Sequence, residues 1–357
     1  MKIWYLWEGD THQDNSGSYD ASRLREVGRN RGHEVQIFTP DQFKLTIGAV
    51  GHSVGHQGAS ESEHAHGQNK SARAIFVDGQ MKELPDIVIS RIYAGSTELS
   101  MTILRHLQAC GVAVVNAPQS ISQVIDKIQM LQILDAHGIA VPKTLFSKCP
   151  IDLALIEREI GFPVVVKTLK GARGGGVFLC QNAESVRDVS DLLVSHGLSA
   201  PILLQKYVSE SHGRDIRAYY VGGKVVACME RTSTDGSFKS NIARGGIGEP
   251  CEMNDEMRRL VQASCAALKI DIAAVDLLMS ETGYLVCGVN SSPNLHGVEK
   301  YAQFDIVNVI YDYIDHQLIP QIPSILAHSK EQAAPKRGAI LPAFLNKLKS
   351  LRQSHVA

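Results

Sequence analysis

The apolar run Ala274-Val275-Asp276-Leu277-Leu278, the turn Glu281-Thr282-Gly283 and the second run Tyr284-Leu285-Val286-Cys287-Gly288-Val289, ending in Asn290-Ser291-Ser292-Pro293, decide the reading of this chain. Two short apolar runs separated by a glycine turn predict a β-hairpin. The hairpin brings Asp276 and Asn290 to one end, and both side chains offer oxygen to a hard cation such as Mg²⁺. That is the pattern of the metal end of a nucleotide site. Gly288 stands where a third oxygen ligand would be most useful.

The surrounding 357 residues set the limits. Length alone suggests two or three domains. A composition of 44% hydrophobic and 20% charged residues is that of an ordinary globular enzyme. The formal net charge of -1 gives no reason to expect nucleic acid as a direct partner. No apolar run approaches the roughly 18 residues of a membrane span. The apolar start, Met1 to Trp7, is short, meets Glu8 and Asp10, and reads as a first strand rather than a signal peptide. The seven cysteines form no Cys-x-x-Cys pair, which predicts reduced thiols in a cytoplasmic protein without a zinc site.

Outward from the hairpin, the first 117 residues alternate strand and helix. Strands are expected at 2–7, 34–38, 86–90 and 112–115, with helices at 19–31 and 97–110. Such alternation implies a parallel sheet with crossovers. An insert at 51–70 carries His52, His56, His64 and His66 among Gly and Ser. A surface loop explains it better than a metal tract, because no helical spacing fixes the ligands. Ala117-Pro118 marks a boundary, one helix is expected over 120–137, and residues 160–330 read as α+β. Residues 329–338 look like a linker. Leu341, Phe344, Leu345, Leu348 and Leu351 then recur at helical spacing, an amphipathic helix suited to docking on its own protein or a sister subunit.

Several segments could carry chemistry. The strand Pro163-Val164-Val165-Val166-Lys167 leads into Thr168-Leu169-Lys170-Gly171-Ala172-Arg173-Gly174-Gly175-Gly176 and then a further strand, Val177-Phe178-Leu179-Cys180. Glycine-rich backbone can approach phosphates closely. This loop nevertheless joins strand to strand, unlike a Walker A loop or a dinucleotide fingerprint. A plain hairpin and a phosphate loop both remain open on this segment alone. After the strand Ile202 to Val208, Asp215 and Arg217 alternate with apolar neighbours and share one strand face. Lys239-Ser240-Asn241 and Arg244-Gly245-Gly246 put cations near turns, which suits an anionic substrate and equally a solvated loop.

Together these pieces resemble the ATP-grasp superfamily, in particular its RimK-type glutamate ligases. The resemblance runs from Met1 to about Ile314. It is densest at Gly213-Arg214-Asp215-Ile216-Arg217, Ser240 to Gly246, Ala274-Val275-Asp276, and Val289 to Lys300. It implies an α/β and α+β ATP-grasp fold. An N-terminal parallel-sheet domain would span 1–117, a central lid subdomain 118–205 and a C-terminal metal-binding subdomain 206–325, with the linker and terminal helix at 326–357. It further implies that Lys127 and Lys167 contact the phosphates of ATP, and that Gln205, Lys206 and Tyr207 line the adenine. Asp215 would lie near the ribose, Lys239, Ser240 and Asn241 would touch the nucleotide, and Asp276 and Asn290 would bind Mg²⁺ or Mn²⁺. Arg91, Arg217 and Arg244 become candidates for holding the acceptor carboxylate or an acyl phosphate.

The activity so implied is ATP-dependent joining of a carboxylate acceptor (a peptide, a protein C-terminus or a small molecule) to an amino-acid donor, glutamate first. The acceptor would attack the γ-phosphate, and an amine would then displace phosphate from the resulting acyl phosphate, under a closed lid. Relatives of this fold also imply a homo-oligomer. Two positions depart from the pattern. Gly288 replaces a metal-bridging glutamate, for which Glu230 or Glu299 could substitute, and Lys206 replaces an acidic residue. The alternative is a non-catalytic ATP-binding protein marked by Gly288. A dinucleotide-dependent oxidoreductase is weaker, since Glu8-Gly9-Asp10 follows the first strand in place of a Gly-x-Gly-x-x-Gly.

Overall fold

The computed structural model describes residues 1–8, 16–48, 74–92, 98–169, 175–195 and 201–322. The histidine-bearing insert at 51–70, residues 170–174 of the glycine loop, the linker and the amphipathic pattern beyond 322 lie outside the described residues. Among the described residues no helix is long and apolar enough to cross a membrane.

The first third carries β1 (Lys2–Trp7), α1 (Ser16–Asn30), β2 (Glu34–Phe38), β3 (Phe43–Leu45), β4 (Ile75–Val77), β5 (Gln80–Met81), β6 (Ile87–Arg91), α2 (Glu98–Ala109) and β7 (Ala113–Val115). The expected parallel sheet is present, in the order β2-β1-β6-β7. Residues Ile3 to Trp7 are buried without alternation, because both faces of the strand are covered. The antiparallel sheet β3-β4-β5 was not expected. Its strands are two or three residues long, below the length at which periodicity is legible, and Phe43, Ile75 and Val77 pack with Trp4 and Leu6.

The helix expected over 120–137 is two helices, α3 (Pro118–Ile125) and α4 (Lys127–Ala136). Asp126 breaks it. Its backbone is extended, and its carboxylate accepts hydrogen bonds from the N–H groups of Ile128 and Gln129 at 2.9 and 3.1 Å. Capping by Asp126 makes Lys127 the first residue of α4. Next come β8 (Thr144–Ser147), α5 (Leu153–Glu159), β9 (Val164–Thr168), β10 (Val177–Cys180), α6 (Ala183–Ser195) and β11 (Ile202–Lys206), giving an antiparallel sheet β10-β9-β11-β8. This sheet has its own core with α5 and α6, including Ile156, Val164, Val186 and Leu204.

The remainder forms β12 (Arg214–Val221), β13 (Lys224–Thr232), β14 (Ile247–Pro250), α7 (Asp255–Ala267), β15 (Ile272–Ser280), β16 (Gly283–Asn290), α8 (Leu295–Tyr301) and α9 (Ile306–Tyr313). The antiparallel order is β14-β13-β12-β15-β16. On one face, α7 and α4 share a core built on Met130, Leu134, Val261 and Val275. On the other, α8 and α9 fill a core common to this sheet and the N-terminal parallel sheet, with Tyr5, Tyr219 and Tyr311 inside it. Tyr5 donates to Tyr311 Oη at 3.1 Å, and Tyr311 donates to the Leu24 carbonyl at 2.7 Å.

One amide side chain knots the two sheets at the point that leads into the predicted site. Asn116, 2% exposed, follows β7. Its Nδ2 donates to the carbonyls of Ile272 at 2.7 Å and Ser291 at 2.9 Å. Its Oδ1 accepts from the N–H groups of Asp271 and Ile272 at 2.9 and 2.8 Å. Four buried backbone groups thus depend on one side chain, and a buried group left without a partner costs about 1–3 kcal/mol. Asn116→Ala is therefore expected to lower unfolding stability by at least ~2 kcal/mol, read as a lower urea midpoint with an unchanged slope.

Candidate functional site

A cleft of about 550 Å³ opens between the four-stranded and five-stranded antiparallel sheets. Lys127, Lys167, Asp276 and Asn290 all line it. Lys127 Nζ donates to the carbonyls of Thr168 and Leu169 at 3.0 and 2.9 Å. Burial, and then the charge of Lys167, lower its pKa from the ordinary lysine value. Lys167 Nζ donates to Gln205 Oε1 at 2.6 Å and lies 3.5 Å from Cys287 Sγ. Gln205 is 3% exposed and donates through Nε2 to Thr144 Oγ1 at 2.9 Å, so it steers Lys167 more than it presents itself to a ligand. Lys206, Tyr207, Lys239, Ser240 and Asn241 also border the cleft, and Lys239 Nζ sits 5.4 Å from the Phe238 ring centroid. Burial, followed by the nearby Arg244, lowers the Lys239 pKa.

The floor of the cleft is a chain of four charges. Arg217 on β12 faces Asp276 on β15, its direct partner in the register, and donates from Nε and Nη2 at 2.7 and 2.8 Å. Arg231 on β13 donates from Nε to Asp215 Oδ1 at 2.7 Å and from Nη2 to Asp215 Oδ2. The same Nη2 reaches Asp276 Oδ1 at 3.1 Å. Burial opposes ionisation of Asp276, but Arg217 and Arg231 outweigh it and hold that carboxyl well below the usual range. Burial likewise opposes the Arg231 charge, and Asp276 and Asp215 overcome it, raising its pKa. Arg231 is buried and ion-paired, yet the sequence reading did not single it out. The signal was partial: counting in pairs from the Gly222-Gly223 hairpin turn sets Arg231 against Arg214. A bulge at Tyr219/Tyr220 shifts that count by one and puts Arg231 opposite Asp215.

A second bulge shapes the β15–β16 hairpin. Asp276 pairs with Gly288 while Leu277 pairs with Val286, so Cys287 is an extra residue on β16. Strict alternation would turn Cys287 away from the face that holds Asn290, whereas here Cys287, Gly288 and Asn290 all line the cleft. Asn290 Nδ2 donates to Asp276 Oδ2 at 3.3 Å. The two expected oxygen donors are thus side by side. A third is missing: a Cβ built on Gly288 meets nothing within 4 Å, and no group of three or more His, Cys, Asp or Glu able to hold a metal exists among the described residues. Both Asp276 oxygens already accept from arginines. Among the described residues, the side chains beside Asn290 do not by themselves complete a Mg²⁺ cage.

Other sequence-singled residues lie elsewhere. Arg91 is 3% exposed and donates from Nη2 to Asp20 at 2.9 Å and the Pro293 carbonyl at 2.8 Å, which makes it part of the scaffold under the cleft rather than a carboxylate clamp. Arg244 ends a short 3₁₀ turn (Ile242–Arg244) and is outside the cleft lining. Neither proposed replacement acid reaches the cleft. Glu230 accepts from Arg214 at 2.6 Å, and Glu299 accepts from Tyr19 at 2.6 Å.

The charge chain can be tested by removing its centre. Arg231→Met leaves two buried carboxylates short of a cation and is expected to cost about 3–5 kcal/mol at neutral pH. The Asp276 contribution exists above the unfolded carboxyl pKa of ~3.9 and is lost as pH falls through its depressed folded pKa. The stability gap between the two proteins should therefore narrow below about pH 4, as read by chemical unfolding across pH.

A family model described as a RimK-like ATP-grasp domain matches residues 124–314. A probable alpha-L-glutamate ligase of Picosynechococcus sp. is 35% identical over 303 residues, covering 85% of this chain and 93% of that protein. The structure of the ATP-grasp ligase PsnB complexed with minimal precursor superposes with a TM-score of 0.61 at 22% identity, covering 91% of this chain and 98% of that one. D-alanine–D-alanine ligase from Bacillus anthracis complexed with ATP gives 0.59 at 17% identity, covering 93% and 99%. These two likenesses are of fold. With the family model spanning more than half of its length, and a relative more than 30% identical along most of both chains, the protein belongs to the RimK-like ATP-grasp ligase family.

Proposed function

We propose that this protein is an ATP-dependent carboxylate–amine ligase that lengthens a peptide or small-molecule acceptor by one amino acid, glutamate first. The observation that carries the reading is the convergence of Lys127 and Lys167 with the Arg217–Asp276–Arg231–Asp215 chain in one cleft. Two anions must meet in the first step, as an acceptor carboxylate oxygen attacks the γ-phosphorus and ADP departs. Lys127 and Lys167 reduce the repulsion and stabilise the charge that develops. The amine then attacks the acyl carbon, phosphate leaves, and the amine gives up a proton. Arg217, on the cleft floor, is the group we assign to orienting the carboxylate, and Arg244 to the approach from outside the lining.

Lys206 and Tyr207 are assigned to the adenine end, with Gln205 acting through Lys167. Lys239, Ser240 and Asn241 are assigned to further nucleotide contacts, and Asp215 to fixing Arg231. Glutamate as donor is supported by the relatives' name, and a peptide acceptor by PsnB, which was solved with its precursor. No step is routed through a divalent ion; Asp276 and Asn290 are the side chains that would hold one. The reading includes a homo-oligomer in the cytoplasm.

Gly288 favours a second reading, a nucleotide-binding protein that has lost turnover. Incubation with ATP, magnesium and amino acids separates the two. The ligase yields ADP, phosphate and a product heavier by one amino-acid residue in the mass spectrum. The second reading yields bound nucleotide and no phosphate. Gly288→Glu restores a carboxylate beside Asp276 and is expected to raise phosphate release on the order of tenfold or more. An unchanged rate would count against the importance of that position.

A further inference from the structure

We propose that Cys228 and Cys251 are a reversible oxidation site, joined as a disulfide by hydrogen peroxide and closing a loop that contains one wall of the cleft.

Position carries the proposal. β13 and β14 are antiparallel, with Glu230 opposite Glu249 and Met229 opposite Pro250. One step further along the ladder sets Cys228 opposite Cys251, and the Cys251 N–H donates to the Cys228 carbonyl at 3.4 Å. Directly opposed residues send their side chains to the same face. In a hydrogen-bonded pair their Cα atoms lie ~5.5 Å apart, inside the range of about 4.4–6.8 Å that a disulfide spans. The side chains agree with the ladder. Cys228 Sγ donates to the Cys251 carbonyl at 2.6 Å, and the two thiols are in hydrogen-bond contact. Both pack against the core under α7.

Chemistry carries it further. Cys228 is buried and Cys251 is partly exposed, so a small oxidant meets the pair from the Cys251 side. Contact with Cys251 lowers the Cys228 pKa, and contact with Cys228 raises that of Cys251. One sulfur therefore carries charge while its neighbour keeps a proton. The thiolate attacks one oxygen of hydrogen peroxide, and hydroxide leaves, to be neutralised by the proton that the thiol had lost. The neighbouring thiol then displaces water from the sulfenic acid and closes the S–S bond. Two thiols have given two electrons and two protons to one peroxide, which ends as two waters. A thiol reductant returns them. The closed loop, residues 228–251, includes Met229, Arg231, Phe238, Lys239, Ser240 and Asn241, all of which line the cleft.

The test treats the reduced full chain with hydrogen peroxide and alkylates the remaining thiols with N-ethylmaleimide. The unreduced digest is then read by mass spectrometry. The expected product is the Cys228 and Cys251 peptides joined, lighter by two hydrogens than their sum and separated again by dithiothreitol. The oxidised protein should also unfold several degrees higher, because the closed loop restricts the unfolded chain. Cys251→Ser, which spares the buried thiol, should show neither the link nor the shift. Recovery of the two cysteines singly alkylated, as sulfinic acids or joined to other cysteines overturns the proposal. So does a rise in unfolding temperature that Cys251→Ser reproduces. Should that variant fail to fold, the wild-type peptide map alone decides.

Discussion

Arg231 sits between two carboxylates, and the site is arranged around that contact. A guanidinium this deeply buried is tolerable only when its charge is matched and its N–H groups are used. Asp215 on β12 and Asp276 on β15 supply the match, and Arg217 meets Asp276 from the other side. Three neighbouring strands are thereby fixed in register by ionic contacts as well as by their backbone ladder. The two arginines and two aspartates of the floor match one another in charge as a result.

The loop after Asn290 is held with equal care from below. Asn116 takes the Ser291 carbonyl, and Arg91 takes that of Pro293. Asp20, itself ion-paired to Arg91, accepts from the N–H groups of Leu295 and His296 at 2.9 and 2.8 Å, at the start of α8. Burial raises the Asp20 pKa even with Arg91 and these N–H groups working against it. All three residues come from the N-terminal third. That part of the chain thus acts on the site through the backbone of the segment 291–296 and presents little chemistry of its own.

The parallel sheet and the β15–β16 hairpin were legible because both rest on local patterns: strand–helix alternation in one, and two apolar runs about a glycine turn in the other. Lys127 and Lys167 could be named only through the family resemblance, whereas Asp276 and Asn290 followed from the hairpin itself, and all four line one cleft. Arg231 and Cys287 escaped for one physical reason. A bulge adds a residue to one strand only, and nothing in a period-two pattern announces it. Asn116 escaped because its work is done with backbone atoms distant in sequence. The single helix drawn through Asp126 failed for the converse reason. An aspartate inside a helical pattern can as well be a cap, and its local hydrogen bonds decided the matter.

The four-stranded sheet keeps a core of its own, while the other two share one. Lys167 and Gln205 therefore ride on a sheet whose main core is separate from the base, joined to it through Leu203, which packs with Ile216 and Val275. The latch on that sheet is Lys127, whose ammonium grips the carbonyls of Thr168 and Leu169. The ammonium that faces the cleft is thus the same one that ties the end of β9 to the start of α4, so one side chain serves both the site and the seam between two sheets.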